Sequence, residues 1–250
     1  ERGRLRFWTD PFEINVSNEF HFFTPSDSVQ DVTLFAKYTL RADEMFLNRM
    51  IGGTFEGSND PDFREKEVLY LINEKPKRLQ TVVQSYSSKS YRYVRYIGPK
   101  YSHCNIAEAA FYTPNDTASL KGKVIGTPGC FQKDGSHEYT NVFDGDVTTS
   151  FDYIEPSGGW SGLDLGTPKQ IGRIVYTPRS YDNYIRSGDD YELFYCARRN
   201  NWKSLGDQRS KADSLIYIKI PVNALLLLCN NTRGIQERIF VYTAAEQIWK

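Results

Sequence analysis

The sequence predicts an all-β protein built as two tandem β-sandwiches with little helix. Three observations carry this. The 250 residues include 17 Tyr and 15 Phe but only two Met, and aromatic and β-branched side chains suit a pleated surface. Long apolar stretches at helical spacing are scarce. Turn signals recur at short intervals, among them Gly52-Gly53, Ser58-Asn59-Asp60-Pro61, Gly98-Pro99, Thr127-Pro128-Gly129, Pro156-Ser157-Gly158-Gly159 and Ser187-Gly188-Asp189-Asp190. Short strand-like runs between such signals are the pattern of a sandwich.

Strands are expected at 12–16, 32–38, 91–97, 173–177, 191–195, 215–220 and 224–228. In Tyr191-Glu192-Leu193-Phe194-Tyr195 only Glu192 breaks the apolar run, which predicts a strand covered on both faces. A short helix is expected over 41–50, with Met45, Phe46 and Met50 on one side. The polar, Pro-containing segment Thr113 to Ser119 marks the best domain boundary, giving domains 1–113 and 120–250. A weak repeat supports that cut. The run 91–96 leads through a polar loop to Glu108-Ala109-Ala110-Phe111-Tyr112, and the run 224–228 leads likewise to Glu237-Arg238-Ile239-Phe240-Val241-Tyr242.

Bulk properties exclude several classes. Acids and bases balance at 31 each, so no overall field favours nucleic acid. No stretch approaches the roughly 20 apolar residues of a membrane span. The chain opens at Glu1 without Met, as expected of a processed or trimmed fragment of a larger protein. Cys104, Cys130, Cys196 and Cys229 lack CxxC spacing and read as buried thiols, with one disulfide left open.

The run Asn141-Val142-Phe143-Asp144-Gly145-Asp146-Val147-Thr148-Thr149-Ser150-Phe151-Asp152 carries the most chemistry. Asp144, Asp146 and Thr149 place three oxygen-bearing side chains close together, with Gly145 where the backbone must turn. Hard cations such as calcium take carboxylates and carbonyls on a tight loop. The run is too short for an EF-hand and lacks its closing Glu. The alternative is a plain Asp-Gly turn with a Thr cap and no metal.

With this run, Gly159-Trp160-Ser161-Gly162-Leu163-Asp164-Leu165-Gly166, Ile174-Val175-Tyr176-Thr177-Pro178-Arg179 and the closing segment 237–242 follow in order. Together they make residues 123–242 resemble the discoidin, or coagulation-factor type C, domain. That group includes the family 32 carbohydrate-binding modules and shares a galactose-binding-like jelly roll. Residues 50–112 resemble the back half of such a module, without its DGD loop or Trp strand. Segments 55–61 and 233–242 also look like parts of larger bacterial, gut-commensal-type surface or periplasmic proteins.

The resemblance implies a structural calcium held by Asp144, Asp146 and Thr149, with carbonyls from Asn141 and Thr149 and a closing carboxylate from Glu237. It implies ligand loops near the metal, with Arg179 and Asn183 matching the family's sugar-binding pair. Tyr181 offers a stacking face, His137 and Tyr139 a neighbouring wall, and Asn231 and Arg233 the rim. Arg179 paired to Asp182 or Asp152, pinning loops together, is the competing reading. Trp160 and Trp202 are expected in the cores, and Trp249 either exposed or packed.

With three His and no GxSxG, HExxH, Walker or dinucleotide motif, the chain is not expected to be an enzyme. The expectation is a non-catalytic module of a secreted, periplasmic or cell-surface protein that recognises a glycan or glycoprotein beside a structural calcium. Its other partners would be adjacent domains of the parent protein. The alternative is a structural, protein-docking module with no glycan site.

Overall fold

The computed structural model describes residues 9–250; the first residues of the expected N-terminal domain, 1–8, lie outside it. The chain opens with strands β1 (Phe12–Ile14), β2 (Phe20–Phe22) and β3 (Val29–Leu34). One short helix follows, α1 (Glu44–Arg49). Next come β4 (Thr54–Ser58), β5 (Lys66–Leu71), β6 (Thr81–Gln84), β7 (Ser90–Ile97) and β8 (Ile106–Tyr112). They are followed by β9 (Lys123–Gly126), β10 (Trp160–Gln170) and β11 (Arg173–Pro178). The chain ends with β12 (Asp190–Ala197), β13 (Asn201–Arg209), β14 (Leu215–Pro221), β15 (Leu226–Asn230), β16 (Ile235–Gln236), β17 (Phe240–Thr243) and β18 (Glu246–Trp249). The protein is therefore all-β with little helix, as its composition and turn spacing indicate.

Two compact units emerge. Among the described residues, unit 1 comprises 9–40 with Asn183–Lys250, and unit 2 comprises Arg41–Asp182. The expected cut at Thr113 to Ser119 is corrected by strand pairing. Trp160 of β10 stands opposite Ile97 of β7, and Arg173 of β11 opposite Tyr112 of β8. Strands on both sides of that segment thus share ladders, and it is a loop inside unit 2. A polar, Pro-bearing loop looks the same in sequence whether it joins domains or two strands of one sheet.

Unit 2 pairs a five-stranded sheet, β5-β4-β7-β10-β9, with a three-stranded sheet, β6-β11-β8. Both are antiparallel. Their inner faces share one core of Phe55, Val94, Tyr96 and Leu163 from the first sheet and Ile106, Phe111, Ile174 and Tyr176 from the second. Phe55 bridges them, its ring 6.0 Å from Phe111 and 5.4 Å from Tyr176. Fully burying such side chains contributes roughly 1.5–3 kcal/mol each. Gly162 permits the tightest approach, because a Cβ there would lie 2.2 Å from the Val94 carbonyl oxygen. A second layer covers the five-stranded sheet. Glu56, almost fully buried, accepts from Arg95 Nε at 2.8 Å and pairs with Lys66 Nζ at 2.9 Å. The Arg95 guanidinium lies 4.1 Å from the Phe63 ring and 5.1 Å from that of Trp160, so Trp160 packs as a half-buried lid.

Unit 1 contains a six-stranded sheet of order β13-β12-β15-β17-β18, with β16 also on β15, and two-stranded pairs β14-β3 and β1-β2. Leu34, Tyr191, Leu193, Tyr217, Leu226, Leu228 and Phe240 form its main core. No residue of β12 is exposed, in keeping with a strand covered on both faces. Trp202 corrects an expectation. It lies on edge strand β13 and is 36% exposed, because a strand at the end of the sheet has a neighbouring strand on one side only. Trp249 packs on Phe240, ring centroids 5.1 Å apart. All four cysteines are free thiols, three buried and Cys229 half-buried. Among the described residues no helix is long and apolar enough to cross a membrane.

Candidate metal centre and recognition loops

The DGD loop comes after a 3-10 turn, Tyr139–Phe143, whose last carbonyls would otherwise lack partners. The Asn141 carbonyl accepts from Asp144 N–H at 3.5 Å. Gly145 then adopts φ +83°, a left-handed conformation that glycine reaches without steric cost. Asp144 organises the rest of the loop. Its Oδ1 accepts from Asp146 N–H at 2.7 Å, and its Oδ2 lies 2.8 Å from the Thr149 hydroxyl. The same hydroxyl is 2.9 Å from the Asp146 carbonyl. Asp146 Oδ1 accepts from the Thr148 amide and hydroxyl. Asp144, Asp146 and Thr149 are therefore gathered on one turn. The Asn141 side-chain amide donates from Nδ2 to the Ser136 and Ser150 carbonyls.

The carboxyl that reaches this loop is that of Glu108, on β8. Its Oε1 accepts from Gly145 N–H at 2.8 Å. Burial and then the neighbouring Asp144 carboxylate push its pKa from 4.5 up to about 8. Glu237 was the expected ligand, yet it lies between β16 and β17 in unit 1, whereas the loop lies in unit 2. The repeat contained the signal for Glu108, since each glutamate stands shortly before an aromatic run, Phe111-Tyr112 after Glu108 and Phe240-Val241-Tyr242 after Glu237.

The donors suit a hard cation. Glu108 and Asp144 bring two carboxylates together that repel without a counter-charge, and Thr149 and nearby carbonyls add neutral oxygens. Among the described residues no group of three or more His, Cys, Asp and Glu is placed to hold a metal. The set here relies on hydroxyl and backbone oxygens, and with no nitrogen or sulfur it does not suit zinc. A hollow of about 210 Å³ lined by Glu108, Gly145, Lys121 and Phe143 opens beside it.

Several of the expected recognition residues make structural contacts. Arg179 is ion-paired to Asp152, its side chain 22% exposed. Asp152 also accepts from the Asn105 amide at 2.7 Å, and the Arg179 guanidinium lies 5.0 Å from the Phe46 ring of α1. The loop-pinning reading of Arg179 describes this geometry. Asn183 is fully buried in unit 1. Its Oδ1 accepts from the Lys37 and Tyr38 amides at 2.8 and 3.0 Å, and its Nδ2 donates to the Tyr38 carbonyl at 2.9 Å. Arg179 and Asn183, four residues apart, thus belong to different units. Tyr181 keeps an exposed ring, 5.0 Å from Phe46, while its amide donates to Asp43. His137 Nδ1 lies 3.3 Å from the Ser150 carbonyl. Tyr139 packs against the unit 2 core. Asn231 and Arg233 are in unit 1, where Arg233 Nε donates to Asp189 at 2.6 Å and Asn231 Nδ2 to Glu192 at 3.4 Å.

Comparison with models of protein families, with curated proteins and with solved structures finds no match for this chain.

Proposed function

We propose that the chain is a non-catalytic recognition module of a larger secreted, periplasmic or cell-surface protein, its second unit a discoidin-like sandwich braced by a structural calcium. One observation carries the reading: the fold presses Glu108 onto the DGD loop beside Asp144, where either a proton or a cation must stand between the two carboxyls. Glu108, Asp144 and Thr149, with the Asn141 and Asp146 carbonyls, would hold the ion. When bound it supplies positive charge that fixes the loop.

The order of segments supports the discoidin likeness of unit 2. Residues 50–112, which resemble the back half of such a module, lie in one unit with three of the four features of the 123–242 resemblance, 141–152, 159–166 and 174–179, while the fourth, 237–242, lies in unit 1. The module would then be permuted, its closing strand β8 preceding its metal loop. The ligand class we propose is a glycan or glycoprotein. A glycan-array screen of the intact chain with and without calcium tests it, and binding to no glycan in either condition sinks it. The second reading, a protein-docking module, is favoured by one specific observation: Arg179 and Asn183, the residues expected to hold a sugar, are engaged by Asp152 and by the Lys37-Tyr38 backbone.

A further inference from the structure

We propose that unit 2 binds an anionic saccharide in the hollow between α1 and the loop from β7 to β8, stacked on Tyr101 and paired to Lys100 and Arg49. This rests on the glycan reading above but replaces Arg179 as the place of recognition.

The hollow measures about 370 Å³ and is lined by Met45, Asn48, Arg49, Ile51, Pro99, Lys100, Tyr101 and Ser102. That volume is at the small end of ligand sites. Its walls combine an aromatic ring, apolar side chains and directional donors, the mixture that a sugar with one apolar ring face requires. Two cations and no carboxylate line it, although the whole chain is neutral. The local charge therefore selects an acidic sugar over a neutral one.

The loop is built to present these groups. Tyr101, His103 and Cys104 all have positive φ, at 63°, 55° and 55°. Residues so strained persist only where their surroundings hold them, and they gather at functional sites. Here the holding is plain on one side of the loop. Ser102, Cys104 and Asn105 are almost fully buried. The Ser102 hydroxyl donates to the Pro99 carbonyl at 2.7 Å and accepts from the Cys104 amide at 3.1 Å. His103 Nδ1 lies 2.9 Å from the Tyr153 carbonyl. Tyr101 gains nothing from this packing, because its side chain is 78% exposed. Its amide is nonetheless fixed to the Ser157 hydroxyl at 3.1 Å, so the ring is presented on a fixed stem. Arg49 is oriented by Asn105, and no hydrogen bond or ion pair with a described residue engages the Asn48 amide, the Lys100 ammonium or the Tyr101 hydroxyl.

The test is calorimetric titration of the intact chain with a galacturonic-acid trimer, its carboxyl-reduced neutral counterpart and a sulfated trisaccharide. Wild type, Tyr101→Gly, Lys100→Gln and Arg179→Ala are compared, with thermal melts of each. An acidic trimer should bind at least about tenfold more tightly than the neutral one, with affinity falling as salt rises. The carboxylated and sulfated probes identify which anion is preferred. Tyr101→Gly should lose at least about tenfold in affinity while its melting temperature holds or rises, because glycine relieves the positive φ. Lys100→Gln should weaken the acidic trimers and leave the neutral one unchanged. Binding that survives Tyr101→Gly and Lys100→Gln but is lost in Arg179→Ala overturns this site and leaves the glycan reading standing. Binding of no saccharide, on the array or in solution, overturns both.

Discussion

Replacing Glu108 by Gln isolates the charge conflict on which the metal reading rests. Burial and the adjacent Asp144 raise the Glu108 carboxyl from 4.5 to about 8. In cation-free protein the folded state therefore holds this proton more tightly than the unfolded chain does. The stability it contributes is complete below about 4.5 and is lost as pH rises through about 8. Converted in full, the shift is worth about 5 kcal/mol. Glu108 is only partly buried, and solvent screening reduces this to about 2 kcal/mol. Gln keeps an oxygen for the Gly145 amide, gains a donor toward Asp144 and cannot ionise. In chelator, Glu108→Gln should match wild type at pH 5 and exceed it by about 2 kcal/mol at pH 9. Urea unfolding at pH 5, 7 and 9, with and without the substitution, measures this. Stability curves that run parallel across the range would refute the reasoning.

Three further substitutions test the packing. Asn183→Ala strips partners from two backbone amides and one carbonyl, and should cost about 2–4 kcal/mol in urea unfolding while leaving calcium affinity unchanged. Gly162→Ala places a Cβ against the Val94 carbonyl oxygen; it should cost about 2–3 kcal/mol and raise amide exchange along β7 and β10. Arg95→Met leaves the buried Glu56 carboxylate with Lys66 as its remaining ion-pair partner. It should cost about 3 kcal/mol, part of which the additional change Glu56→Gln restores; a double variant no more stable than the single would count against that ion pair.

Local pattern made the β class and many strands legible. Alternation and turn residues place 90–97, 173–178, 190–197 and 215–221 within a few residues of their positions, because these signals act between sequence neighbours. The division of the chain was not legible in that way. The ladders β7 to β10 and β8 to β11 join residues far apart in sequence, and the loop between β8 and β9 carries the same Pro and polar residues as a linker. The proposed metal site divides along the same line. Asp144, Gly145, Asp146 and Thr149 lie within one turn and are visible together, whereas Glu108 reaches them only through pairing of distant strands. Asn183 shows a different limit. The Arg-x-x-x-Asn spacing matches the sugar-binding pair of the family the sequence resembles, but the amide here clamps the backbone of residues 37 and 38, and no local signal marks that burial.

The most direct test of the calcium-braced module is a calcium titration of the chelator-treated chain by calorimetry, read alongside its thermal melt. The account predicts one ion per chain and stabilisation of about 2.7 kcal/mol at a hundredfold excess over Kd. It also predicts weak response to magnesium, which prefers to keep its waters, and loss of binding in Glu108→Gln combined with Asp144→Asn. Absence of calcium binding at millimolar concentration, or binding that persists in that double variant, would contradict it.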